Sequence, residues 1–301
     1  MAQQVGALDS LGDQYFRPQR GRFAAVWEFA RTRPLGAVCL VILSGVVLVA
    51  VFAGAIAPHP PNESSLIDKL QSPSNEHLLG TDNFGRDVLS RIIYGGRVSM
   101  QVGFISMAVA VIVSVAFGIS GAYFGGVLDF LVGRIVELVQ ALPGIVLLIT
   151  LLALFGESVP TIGIILGLVS GVVSSRVIRG ATLGITAQPF VEVARSIGCT
   201  PLRIIFRYLL PNVVPIVLVL ATLNIGQAII AEASLSFIGR GVQPPTPSWG
   251  GMLSSEGRRF MVYAPWLFYA PTTALAIVVF CINIFGDALR DKLDPRLRGG
   301  K

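Results

Sequence analysis

Six stretches of this chain contain no Asp, Glu, Lys or Arg: residues 35–57, 98–128, 138–156, 158–175, 208–231 and 260–286. A helix needs about 20 mainly apolar residues to cross roughly 30 Å of hydrocarbon, and the runs meet or approach that length. The chain is 53% hydrophobic and 13% charged, with a mean hydropathy of +0.73. That is more apolar surface than a water-soluble domain of this size can bury. Weakest is 158–175, which is short and rich in Gly and Ser. It stands as a span because Glu157 and Pro160 break the preceding run and Arg176 and Arg179 end it as interfacial anchors. Only Glu157 separates it from 138–156, so those two spans are expected to form a tight hairpin. The predicted fold class is an all-α polytopic membrane protein with six transmembrane helices.

An even number of spans places both ends of the chain on one side. Arg17, Arg20, Arg22, Arg31 and Arg33 precede the first run, and Arg134 sits between the second and third. Arg176, Arg179, Arg195, Arg203 and Arg207 follow the fourth, and Arg290, Lys292, Arg296, Arg298 and Lys301 follow the last. The alternate loops hold only Lys69, Arg86, Arg91, Arg97, Arg240, Arg258 and Arg259. Basic residues accumulate on the cytosolic side, so both termini and the 176–207 segment are expected there. The net charge of +6 therefore reflects span ends rather than a patch for nucleic acid. The resulting division is an arm at 1–33, a first span at 34–57, an outer loop at 58–97, a core transmembrane domain at 97–287 and a tail at 287–301. Within the core, spans are expected at 98–123, 137–156, 158–178, 207–231 and 263–286, with loops at 188–203 and 232–262.

The first apolar run begins late and is longer than a signal-peptide core, so it reads as a retained span although Ala53-Gly54-Ala55 mimics a cleavage site. Cys39, Cys199 and Cys281 are scattered and odd in number, giving neither a disulfide framework nor a metal spacing. His59 and His77 lack a partner pattern and read as surface histidines. A phosphate-binding loop of the G-x-x-x-x-G-K-[ST] type is absent from the sequence, as are a Ser-His-Asp arrangement and a metal-ligand motif. The chain is expected to be non-catalytic, with no metal or cofactor of its own.

Between the fourth and fifth runs lies 190–212, FVEVARSIGCTPLRIIFRYLLPN. Phe190, Val191, Val193, Ala194 and Ile197 alternate with Glu192 and Arg195 as in a short amphipathic helix. Gly198 suits a left-handed helix stop, and Thr200-Pro201 suits the cap and first turn of another helix. Pro211 and Pro215 are expected to bend the start of the fifth span. Composition alone leaves two readings standing: a short surface helix that transmits motion, or an ordinary basic interfacial loop.

The same segment carries Glu192, Ala194 two residues on, Gly198 six after the Glu, and Leu210-Pro211 twelve and thirteen beyond that Gly. This spacing resembles the EAA loop of ABC importer permeases. The segment 77–99, HLLGTDNFGRDVLSRIIYGGRVS, resembles the region before the second span in the dipeptide/oligopeptide/nickel permease family, in its "C" subunit branch. So do 232–253, EASLSFIGRGVQPPTPSWGGML, the tail 285–297, FGDALRDKLDPRL, and Arg33-Pro34-Leu35-Gly36. The loop departs from the pattern in having Val193 where Ala is usual and Tyr208 where an aliphatic residue is usual.

The resemblance implies a type I importer (MetI-like) permease fold in a bacterial inner membrane, moving peptides or related solutes. It implies a heterodimer with a homologous permease subunit, two cytosolic ATPase subunits that bind ATP and Mg, and an extracytoplasmic substrate-binding protein. Coupling to the ATPase would fall to Phe190, Glu192, Ala194, Arg195, Gly198 and Pro211. Gly80, Thr81, Asp82, Gly85, Arg86 and Asp87, with Pro244, Pro245 and Trp249, would form an outer gate or receptor platform. In physical terms, Asp82 and Asn83 suit a turn. Residues 86–99 suit an amphipathic helix at the outer membrane surface, and Trp249 suits an interfacial anchor. A solvated cap that merely steadies the first two spans fits these segments as well.

The apolar runs offer only mild polar groups, among them Gln101, Ser106, Asn224 and Gln227. Gln101, Asn224 and Gln227 are candidate pathway residues, although helix–helix hydrogen bonding accounts for any one of them equally simply. Glu232, at a span boundary, reads as structural. Gly118, Gly121, Gly125 and Gly126 read as helix-packing positions. An ion-coupled carrier, one alternative, ordinarily keeps an ionisable residue within a span. A structural membrane protein, the other, would bind no ATPase.

Overall fold

A computed structural model describes residues 28–293. Helix α1 (Pro34–Val51) opens on Pro34, whose fixed φ suits a first helical position. It is followed by α2 (Val88–Phe124), α3 (Gly126–Ala141), α4 (Gly144–Phe155) and α5 (Val159–Thr186). The short α6 (Pro189–Ser196), α7 (Leu210–Phe237) and α8 (Trp266–Leu293) complete the order. Among the described residues, five helical stretches are long and apolar enough to cross a membrane, or six if the bent pair α3–α4 is one span.

That bent pair corrects the expectation of one helix over 137–156. α3 and α4 meet at 98°, and the cause lies in the sequence. Pro143 lacks an N–H and crowds the residue before it, and Leu142 is accordingly extended at φ −94°, ψ 141°. The fourth span also differs from its predicted bounds. α5 runs to Thr186 and carries Arg176 and Arg179 inside the helix. Arg179 is not a simple interfacial anchor: its Nη2 lies 2.6 Å from Oδ2 of Asp129, in a two-pronged pair joining α3 to α5.

A second correction concerns the amphipathic surface helix expected over 86–99. Residues 88–99 are instead the first turns of α2, which is 37 residues long and so about 55 Å, well beyond the hydrocarbon thickness. Gly95 and Gly96 do not break it, because Trp249 packs over them. A Cβ on Gly96 would lie 2.9 Å from the indole ring.

The glycines that weakened 158–175 as a span are what lets α5 pack. Gly163, Gly167 and Gly171 recur every four residues and so share one face of α5. A Cβ on Gly167 would meet the Ser106 carbonyl oxygen at 2.6 Å, and one on Gly171 the Ala110 Cα at 2.9 Å. Small residues in this register let two backbones approach, which drives association where lipid removes the usual hydrophobic force. Gly118 packs likewise on Ile178, whereas Gly125 and Gly126 have open space around them and form the turn into α3. Asn224 of α7 then cross-braces the pair. Its Oδ1 accepts from Ser106 at 3.1 Å and its Nδ2 donates to Ser170 at 2.7 Å. α1 lies against α8, where Gly36 abuts Ala288 and Arg33 pairs with Asp291 at 2.9 Å.

Candidate functional site

α2 runs the length of the bundle, so its two ends separate two polar regions. At its start, the chain over 58–87 folds into a cap around buried ionic groups. Asp82 is fully buried. Its Oδ1 accepts from the backbone N–H of Phe84 at 2.8 Å and of Arg86 at 3.0 Å. Its Oδ2 faces Arg86 Nε at 2.6 Å and Arg91 Nε at 3.5 Å. The turn expected from Asp82 is therefore present, and it also gathers two guanidinium groups. Arg91 donates onward to the Pro61 carbonyl at 3.1 Å.

Asp87 caps α2, accepting from Ser90 N–H at 2.8 Å through one oxygen and facing His77 Nδ1 at 3.0 Å through the other. His77 is thus buried and partnered, not the surface histidine expected. Thr81 receives the Gln71 N–H on its hydroxyl at 2.9 Å, and its carbonyl accepts from Trp266 Nε1 at 3.1 Å. Gly80 and Gly85 both have positive φ, and a side chain at Gly85 would overlap the Ser65 backbone.

Trp249 departs from its expected role as an interfacial anchor. It is buried, seated on Gly95 and Gly96, and donates to the Ile92 carbonyl at 3.0 Å. Pro244 and Pro245 are exposed on the same loop. Glu232 is a brace that sequence reasoning placed at a boundary. It lies within α7, fully buried, accepting from Ser99 of α2 at 3.2 Å and from Ser236 at 2.7 Å. Of the three candidate pathway residues, Asn224 is buried and committed to its two serines, whereas Gln101 and Gln227 are exposed.

At the other end of α2, helix α6 is short and carries its buried side on Val191 and Ala194, which pack with Ile119, Ile178, Ile204 and Leu209. Glu192 and Arg195 are exposed, and the Arg195 guanidinium lies 5.1 Å from the Tyr123 ring. Phe190, Val193 and Ile197 are exposed too, at 42%, 59% and 71%. Their i, i+3, i+7 spacing puts them in one strip.

α6 ends as its sequence predicts. Gly198 has φ +80°; its N–H donates to Arg195 O at 2.9 Å and the Cys199 N–H to Ala194 O at 3.0 Å. That is the double bond of a Schellman stop. Thr200 holds the cap position of the next turn without a side-chain bond. Pro211 is exposed at the start of α7, and a π-helical turn, Ile205–Leu209, precedes it. A π turn absorbs the register change where prolines withdraw backbone donors.

The described residues thus form a polytopic helical membrane protein with a folded cap at one end and a rigidly stopped short helix at the other. The comparisons give this class its family. Residues 110–299 match the binding-protein-dependent transport system inner membrane component family, and residues 22–73 the N-terminal TM domain of oligopeptide transport permease C. The chain belongs to this family of ABC importer permeases, whose members are non-catalytic membrane subunits. It is 37% identical over 287 residues to the dipeptide transport system permease protein DppC of Alkalihalophilus pseudofirmus, covering 93% of this chain and 94% of that one. It is 36% identical over 274 residues to the glutathione transport system permease protein GsiD of Escherichia coli, covering 91% and 90%. Among solved structures, inward-facing forms of the MetNI methionine ABC transporter align with a TM-score of 0.55 at 19% identity, covering 68% of this chain and 96% of that one. That likeness concerns the fold. As an importer permease the chain works with ATPase and substrate-binding partners in the inner membrane.

Proposed function

We propose that this permease imports short peptides or peptide-like solutes, and that α6 is the contact through which ATP hydrolysis reaches the spans. The observation that carries the second part is the exposed strip of Phe190, Val193 and Ile197 on a helix whose opposite side is packed and whose end is fixed by Gly198. Apolar residues exposed on one face of a surface helix mark a protein contact. The strip and the buried face are parts of one short rigid body, so a push on the strip is passed directly to α2, α5 and α7. Glu192 and Arg195 supply the polar rim, and Pro211 follows the π turn that links the helix to α7.

The peptide reading rests on relatives whose names specify dipeptide and glutathione. The distribution of Lys and Arg supports a cytosolic α6 with both termini on that side, and an extracytoplasmic 58–87 cap. In the full assembly the chain pairs with a homologous permease, two ATPase subunits dock on the pair, and a binding protein delivers the solute to the cap side. There Gly80, Thr81, Asp82, Gly85, Arg86 and Asp87 form the folded base of the receptor platform, and Pro244 and Pro245 its exposed edge. Gln101 and Gln227 present the polar groups along the path. ATP and Mg belong to the ATPase subunits.

The test is a mild-detergent pull-down of tagged chain, combined with uptake of a labelled dipeptide by the Gly198→Pro variant. Proline cannot adopt a positive φ and removes the N–H that bonds Arg195. Uptake should vanish while membrane insertion persists. Normal uptake by this variant would sink the coupling assignment.

A further inference from the structure

The sequence contains two histidines, His59 and His77, and the fold brings them together. Their ring centroids are 4.9 Å apart with planes tilted by 41°. His77 Nδ1 faces the Asp87 carboxylate at 3.0 Å, and His59 Nε2 faces the Glu76 carbonyl at 3.3 Å. The Glu76 carbonyl can only accept, so the neutral His59 ring is held in the tautomer that donates there. His59 Nδ1 must then carry a lone pair, whereas His77 shares its Nδ1 proton with Asp87 and would release it when an ion binds between the two. Histidines that bind metals are oriented as His59 is, by an acceptor on the nitrogen away from the ion. One nitrogen from each ring and one Asp87 oxygen lie within 4.8 Å of one another.

We infer that His59, His77 and Asp87 form a binding site for a divalent transition-metal ion at the start of α2. Two imidazoles and a carboxylate suit borderline ions such as Zn2+ and Ni2+, and are too nitrogen-rich for Ca2+ or Mg2+. The zinc–ligand distances of such sites require donors about 3.4 Å apart, so the His77–Asp87 pair, at 3.0 Å, opens slightly on binding and the His59 ring adjusts by a modest rotation. The ligands come from three places: the chain just after α1, the loop before Gly80, and the cap residue of α2. A bound ion would therefore staple the 58–77 segment to the helix that traverses the bundle. Asp87 keeps its second oxygen on Ser90 N–H, so capping and ligation are compatible. The site rests on the reading above only in facing the extracytoplasmic side. Metal binding is measured apart from transport, so either can fail without the other.

The experiment uses full-length chain purified in detergent through a tag without histidine, stripped with chelator, then titrated with Zn2+ and separately with Co2+. Wild type should retain one Zn2+ per chain after desalting, raise its thermal midpoint on binding, and give the visible bands of Co2+ in a nitrogen- and oxygen-ligated site. His59→Ala, at a half-buried ring, should weaken binding at least about tenfold while eluting as wild type does. Asp87→Asn retains a capping side chain and should weaken binding similarly. His77→Gln completes the set, and His59→Ala decides the matter if it does not fold. Substoichiometric Zn2+ on wild type would overturn the site, as would undiminished binding by folded His59→Ala or Asp87→Asn.

Discussion

The two ends of the bundle solve opposite problems. Around Asp82 the cap buries charge and supplies partners for it within the chain: two backbone N–H groups and the guanidinium groups of Arg86 and Arg91. At α6 the chain leaves Phe190, Val193 and Ile197 in the open and fixes only the angle of the helix that carries them. The first region is closed upon itself, and the second, on the proposed reading, is finished by another chain. Substitutions in the cap should therefore lower stability, and with it everything else. Those on α6 should spare stability and remove association.

The largest effect is expected at Asp82. Removing one member of a buried, hydrogen-bonded ionic group leaves the others uncompensated, typically at about 3–5 kcal/mol. Asp82→Ala should deplete folded chain in the membrane and lower the thermal midpoint in detergent. An unchanged midpoint would show that the cap is held by its loops rather than by this carboxylate, and the contrast between the ends would lose its basis. Asp87→Ala is expected to follow at roughly 1–2 kcal/mol, since it deprives α2 of its cap. Faster hydrogen exchange confined to the first turn of α2 would confirm that origin.

Gly198→Ala comes third. Nothing lies within 4 Å of its missing Cβ, but its φ is +80°, and the left-handed conformation costs an L residue about 1–2 kcal/mol. The midpoint should fall less than for Asp82→Ala, whereas dipeptide uptake should fall as far. A parallel loss of both would place Gly198 with the cap residues, as a folding position and no more.

Much of this division was legible in the sequence, and the exceptions share a cause. The spans, the stop at Gly198 and the turn at Asp82 follow from local chemistry: uncharged runs, a glycine after an amphipathic turn, an Asp able to bond its own backbone. The misreadings concern residues whose partners are distant in the chain. Trp249 suits an interfacial ring by its local sequence, but it sits on Gly95 and Gly96, more than 150 positions earlier. His77 needed Asp87, Asn224 needed Ser106 and Ser170, and Arg179 needed Asp129. The register of Gly163, Gly167 and Gly171 was in plain view. Glycine weakens a hydropathy signal for the same reason that it lets helices touch: it has no side chain.

The smallest expected change in stability belongs to Val193, and it divides the two ends most sharply. Its side chain is 59% exposed, so Val193→Ser should leave the thermal midpoint within the equivalent of about 0.5 kcal/mol. The same residue stands at the middle of the strip between Phe190 and Ile197. The residues that carry most of an interface's energy cluster near its centre. Association with the ATPase subunits, measured on the purified chain, should weaken roughly tenfold, and dipeptide uptake with it. If association holds at wild-type strength, the strip is not the contact surface. The exposed Glu192 and Arg195 would then become the residues to exchange next. If the midpoint falls as far as for Asp87→Ala, α6 depends on Val193 for its own folding and is no more open to a partner than the cap is.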